Sequence, residues 1–123
     1  MQLSLNTNNG QYYIKAFAPG EIIINEKTYK KSIIISPIKI IDDWLPQSLD
    51  EIKLSDLGII ETLKPDIVLL GTQKKTYFSR QDIIAFFYAK NIGIEIMNTN
   101  VACRTFNVLA SEGRNIVAGL MLD

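Results

Sequence analysis

Cys103 and Arg104 are the adjacent pair in this chain whose types could support chemistry directly. They stand in the stretch Gly93–Arg114, GIEIMNTNVACRTFNVLASEGR, which reads as strand, polar turn, helix and glycine stop. If Asn100 caps that helix, Cys103 falls in its first turn. There the helix dipole and the Arg104 cation would both favour a thiolate. The competing reading is a small helix residue packed on a sheet, the usual fate of a free cysteine. Composition favours the second, because the chain has one Cys and no His. Ser-His-Asp and Cys-His catalysis both need a base that titrates near neutrality. One Cys without His also makes a poor ligand set for zinc or an iron–sulfur cluster. Asp42, Asp43, Asp50 and Glu51 leave oxygen-only cation binding formally open, without EF-hand spacing. The expectation is no metal and no cofactor.

A second chemistry concerns anions. In open α/β sheets, ligands bind beyond the carboxyl ends of parallel strands. Two such loops can be read here, Gly71–Thr76 after a strand ending at Leu70 and Asn98–Arg104 after a strand ending at Met97. Each leads toward a helix N-terminus, where free N–H groups favour an anion. Lys74, Lys75, Arg80 and Arg104 would supply charge. The candidate pocket therefore contains Gly71, Thr72, Asn98, Thr99, Cys103 and Arg104, with Asn107 and Arg114 from the same helical block. Against it, Gly71 followed by Thr72 matches no Walker or Rossmann pattern. In the plainer reading Gly71 makes a turn and the lysines are solvated, while Glu112-Gly113-Arg114 is a helix-to-strand turn.

The elements that must position these residues differ between the two halves of the chain. Tyr12–Phe17, Glu21–Ile24, Thr28–Ile35 and Ile38–Ile41 are β-branched runs separated by Pro19-Gly20, Asn25-Glu26 and Ser36-Pro37. They predict an antiparallel meander with a tight turn at Asn25-Glu26. Beyond Trp44, read as closing the core, the pattern alternates. A helix is expected over Ser55–Leu63 with Ser55 as N-cap, then a strand over Asp66–Leu70. A second helix is expected over Ser79–Lys90, with Ser79 and Asp82 at capping-box spacing and a buried face of Ile83, Ile84, Phe86, Phe87 and Tyr88. A strand over Gly93–Met97, a helix over Val101–Ser111 capped by Asn98, Thr99 or Asn100, and a strand over Asn115–Leu122 complete the order. Strand–helix–strand–helix–strand implies right-handed crossovers on a mainly parallel sheet. The fold class is α/β, with residues 1–123 as one domain.

Composition bounds the partners. Of 123 residues, 47% are hydrophobic, enough for a real core. Lys+Arg 13 balances Asp+Glu 13, so the field expected of a nucleic-acid binder is missing. The opening MQLSLNTNNGQYY lacks a signal-peptide pattern, and the apolar runs are too short to span a bilayer. A cytoplasmic protein without direct membrane insertion is expected, and a single cysteine suits a reducing compartment.

The chain resembles a small α/β family of domains of unknown function that includes the mitochondrial complex I assembly factor 3 and an adipogenesis-associated cytosolic protein. The resemblance runs through Tyr29–Trp44 and Pro65–Thr72. It is clearest at Gly93, Glu95, Thr99, Ala102, Cys103, Thr105, Phe106, Asn107, Leu109, Glu112, Gly113 and Arg114. It implies a three-layer β/β/α fold with a mixed sheet, in which the last strand need not be parallel. It also implies an assembly role whose working part is a protein surface. Where the family often places a second glycine after the Gly-Thr pair, this chain has Gln73. It also lacks a mitochondrial presequence pattern, which suggests a bacterial or cytosolic member. The leading expectation is thus a non-enzymatic protein-binding domain, with a homodimer open because a small sheet leaves edges to cover. The alternative is a small-molecule or anion-binding protein or enzyme using Gly71–Thr76 and Asn98–Arg104 with Cys103.

Overall fold

Period-2 burial organises the molecule. The computed structural model describes residues 11–74 and 79–123. Strands β1 (Ile14–Ala18), β2 (Glu21–Ile24) and β3 (Lys27–Tyr29) form a three-stranded antiparallel sheet in that order. The Asn25-Glu26 turn joins β2 to β3. Asn25 takes φ 52° and accepts from the Tyr13 N–H at 2.9 Å, the behaviour expected of Asn in a left-handed turn position. The run expected over Thr28–Ile35 breaks after Tyr29. Its second part is β4 (Ile33–Ile35), which leaves the small sheet for the larger one.

The larger sheet also contains β5 (Ile40–Ile41), β6 (Ile67–Thr72), β7 (Gly93–Asn98) and β8 (Ile116–Leu120), in the order β5-β4-β8-β6-β7. β8 and β7 flank β6 and run parallel to it, whereas β4 is antiparallel to β8. The sheet is therefore mixed, and the last strand is parallel to β6. Helices α2 (Gln81–Tyr88) and α3 (Thr99–Ser111) make the two crossovers. Because the chain steps from β6 out to β7 and then back across β6 to β8, right-handed crossovers must place them on opposite faces.

The core confirms that placement residue by residue. Ile33, Ile35, Leu69, Ile116, Ala118 and Leu120 face α3 and the small sheet, packing with Ile22, Ile24, Ala102 and Phe106. Their neighbours Ile34, Val68, Leu70 and Val117 face the other way, onto Trp44, Ile60, Ile83 and Phe87. Alternation to two covered faces explains why these strands read as unbroken apolar runs. The layers are thus the α2 side, the five-stranded sheet, and α3 beside the small sheet.

Some boundaries differ from expectation for local reasons. In place of a helix capped by Ser55, a 3-10 turn at Leu54–Leu57 runs into the short α1 (Gly58–Glu61). Asp56 supplies the cap instead, accepting from the Lys53 N–H at 2.8 Å. The Ser79–Asp82 capping box does not form, because Asp82 pairs with Arg80. Tyr88, placed on the buried face by periodicity, is 79% exposed. Trp44 closes the core across Gly119 and donates its indole N–H to the Asp56 carbonyl at 3.1 Å.

A methyl group at Gly119 would lie 2.9 Å from Trp44 Cζ3 and 3.0 Å from Leu70 Cδ2. Gly119→Ala is expected to cost about 1–3 kcal/mol through overpacking. Urea unfolding should show a lower midpoint at unchanged slope, with an altered emission of Trp44, the single tryptophan. An unchanged midpoint would mean that the indole moves aside freely.

Candidate functional site

The chain steps from β6 out to β7 and back across β6 to β8, which puts the topological switch point between the carboxyl ends of β6 and β7, where an α/β sheet normally opens a crevice. Gly71, Thr72, Asn98 and Thr99 do gather there, but the space between them is filled. Gly71 belongs to β6 rather than to a loop, and a Cβ on it would lie 2.9 Å from Thr99 Cα and 3.1 Å from Ala102 Cβ. Glycine is therefore needed for the close approach of α3. Asn98 caps α3, accepting from the Asn100 N–H at 2.8 Å. Thr99 is fully buried and donates its hydroxyl to the Met121 carbonyl at 2.7 Å. The Met121 N–H donates in turn to the Gly71 carbonyl at 2.9 Å.

The anion expected at the Gly71–Thr76 loop has an internal counterpart. Buried Thr72 donates Oγ1 to Asp123 Oδ2 at 2.8 Å, and the Gln73 N–H donates to Asp123 Oδ1 at 2.7 Å. A carboxylate of the chain itself thus holds both donors. Nothing in the local pattern announces this bond, which joins residues 51 apart in sequence.

The expected cations do not converge on this point. Arg80, only 15% exposed at its side chain, forms a two-point ion pair with Asp82 at 2.9 Å. It also donates to the carbonyls of Leu49 at 2.6 Å and Ile52 at 2.8 Å. Those bonds tie the guanidinium to the 3-10 segment, and Arg80 also borders a cavity of about 430 Å³ against β7. The Asp82 hydrogen bond raises the Arg80 pKa, and the same bond lowers that of Asp82. Lys74 lies 3.9 Å from Asp50. Lys75 and Thr76 fall outside the described residues. Arg114 is exposed in the turn after α3, where its N–H bonds the Leu109 carbonyl and Gly113 takes φ 81°.

Cys103, Arg104 and Asn107 lie elsewhere, on the side of α3 that faces the small sheet. With Asn98 as the cap, Cys103 sits one turn inside the helix rather than in its first turn. It is 4% exposed, and burial pushes its pKa up from 9.0 to about 12 despite the opposing charge of Arg104. Such a thiol stays protonated at neutral pH, which removes the basis for a nucleophile. Asn107 joins α3 to the small sheet. Its Oδ1 accepts from the Ile14 N–H at 3.0 Å, and its Nδ2 donates to the Ile14 carbonyl at 2.8 Å. Together with Arg104 these residues line one wall of a groove of about 210 Å³, whose other wall is β1. Sequence reasoning missed that wall, including Tyr13, Lys15 and Phe17, because its pairing with α3 is entirely long-range. Among the described residues, no three His, Cys, Asp or Glu side chains come together as a metal site.

Residues 14–121 match the family described as protein of unknown function DUF498/DUF598. The chain belongs to this family. Among its relatives, a Francisella tularensis protein named 13 kDa major membrane protein is 28% identical over 106 residues, 85% of each chain. The NADH dehydrogenase [ubiquinone] 1 alpha subcomplex assembly factor 3 of Xenopus tropicalis is 30% identical over 111 residues, 89% of this chain and 60% of the relative. The chain thus spans well under two thirds of that assembly factor's length. A crystal structure of a Bordetella parapertussis protein superposes with a TM-score of 0.85 at 27% identity, covering 94% of this chain and 99% of that one. The family match takes in Gly71, Thr72, Asn98, Thr99, Cys103, Asn107 and Arg114 but stops before Asp123. No helix of the described residues is long and apolar enough to cross a membrane.

Cys103 and Asp123 each supply a test of this geometry. Native protein should leave Cys103 unreacted toward a neutral thiol reagent and label only on unfolding. Its folded pKa lies above the ordinary value, so its contribution to stability is intact below pH 9.0 and is lost as pH rises toward about 12. Cys103→Ala should therefore flatten the alkaline limb of the stability profile, and an unchanged limb would contradict the burial argument. Asp123→Ala leaves the buried Thr72 hydroxyl without its acceptor and should cost about 1–3 kcal/mol. Hydrogen exchange at the Gln73 amide should accelerate in the same variant. Unchanged exchange would show that the carboxylate does not hold the loop.

Proposed function

We propose that the chain is a non-enzymatic protein-binding domain of the assembly-factor kind, acting on a component of a membrane complex. The observation that carries this reading is its similarity, over 89% of its length, to a protein named for assembly of NADH dehydrogenase. The closed switch point supports it. Thr99 and Thr72 there are engaged by Met121 and Asp123, and the buried thiol of Cys103, on the small-sheet side of α3, is protonated. Exposed apolar side chains add support, since Tyr13 stands out just before β1 and Val101 and Val108 on α3. Tyrosine is among the side chains that anchor protein interfaces. The proposed location is the cytoplasm, with contact to a membrane made through the partner.

Affinity capture from the native host, followed by reconstitution from purified components, tests this reading. The expected outcome is a stoichiometric complex that survives gel filtration, together with less of the assembled membrane complex when the chain is deleted. Failure of every captured candidate to bind in purified form, with complex levels unchanged, would overturn it.

A further inference from the structure

The groove between β1 and α3 sets Cys103, Arg104 and Asn107 beside an outer strand. β1 is the outer strand of the small sheet, and β2 occupies only one of its sides. On the other side, the Asn107 amide bonds both the N–H and the carbonyl of Ile14, as a neighbouring strand would. Beyond Ile14 no group of the described residues pairs with that edge as far as Ala18. An open strand edge facing a helix is an arrangement that accepts an extended peptide as an added strand.

The lining specifies the peptide's character. Lys15 on β1 and Arg104 on α3 line the groove, and no acidic side chain does. Arg104 has no carboxylate within 4.0 Å among the described residues. Lys15 has only Glu26 at 3.9 Å, with the two side chains 61% and 90% exposed. A pair that exposed contributes little and is readily exchanged. Tyr13, half exposed, and Phe17 supply apolar contact beside the charges. At about 210 Å³ the groove falls short of the roughly 300–1,000 Å³ of small-molecule sites, so it fits one or two side chains of a docking segment.

We infer that this groove is a docking site for an extended acidic segment of a partner protein, paired with the edge of β1 beyond Asn107 and neutralised by Lys15 and Arg104. The inference deepens the protein-binding reading and rests on it.

The test uses the whole chain, isotope-labelled, titrated with three blocked hexapeptides that alternate valine with glutamate, glutamine or lysine. The glutamate peptide should shift the amides of Ala16, Phe17, Arg104 and Asn107 saturably, and less so at high salt. Lys15→Glu with Arg104→Glu should weaken it by more than about tenfold, while Arg104→Lys with Lys15 intact largely preserves binding. An otherwise unchanged amide spectrum establishes that the double variant is folded. Equal shifts from the glutamine or lysine peptide, shifts confined to other surfaces, or no shifts at all would overturn the inference. A captured partner that binds the double variant as tightly as the original chain would remove the groove and leave the protein-binding reading standing. Docking of the glutamate peptide without any partner recovered would do the reverse.

Discussion

The close approach of α3 to β6 at Gly71 governs the rest of the structure. With no side chain on Gly71, the first turn of the helix settles on the strand, and Thr99 reaches across to the Met121 carbonyl. That contact draws the segment after β8 over the ends of the parallel strands, where Met121 is fully buried. In most open α/β sheets the corresponding point is a crevice, because the two crossover helices diverge from it. Here the same divergence exists, but the gap is closed by chain rather than left for a ligand. The buried Thr72 hydroxyl then needs an acceptor, and Asp123 provides one.

Closing the crevice redistributes the polar groups that a sequence suggests for binding. Arg80 acts as an internal tie, since two carbonyls and one carboxylate saturate much of its guanidinium. Thr72, Thr99 and Asn98 are likewise taken up by backbone and side-chain partners. Arg104, on the outer part of α3, lines the groove beside β1 and has no ion pair among the described residues. The groove inferred to dock a partner lies at the seam between α3 and the small sheet, away from those strand ends.

How legible this was depended on the range of the interaction. Period-2 runs and turn residues located the strands of both sheets, because those signals are local. Gly113 and the Asn98-Thr99-Asn100 cluster bracketed α3 for the same reason. The choice among three polar residues for its cap was not local. Thr99 is drawn into the core by the Met121 carbonyl, which leaves Asn98 as the cap and moves Cys103 one turn inward. The division of Thr28–Ile35 between two sheets was equally hidden. Ile33–Ile35 pairs with Leu120–Ala118, a partner at the far end of the chain. Arg80 and Asp123 show the same limit for polar residues, whose partners lie 28 to 51 positions away. Their residue types announced charge, and only tertiary structure decided whether that charge faced a ligand or the protein.

Asn107 shows why one residue can belong to both the fold and its working surface. Its amide satisfies one N–H and one carbonyl of β1 and so ties the small sheet to α3. Two amide bonds cannot cover a five-residue strand, and no other group of the described residues pairs with the remainder of that edge beside the helix. Completing the edge with another strand of the same chain would remove the groove. Leaving it without Asn107 would unpair the Ile14 N–H and carbonyl and release the spacing of strand and helix next to Lys15. A single side chain at the end of the seam resolves the conflict, because it fixes the spacing of strand and helix while ending its own occupation at Ile14. A fold that has closed its crevice with its own chain can still receive a partner, provided that its second sheet is held in this incomplete way.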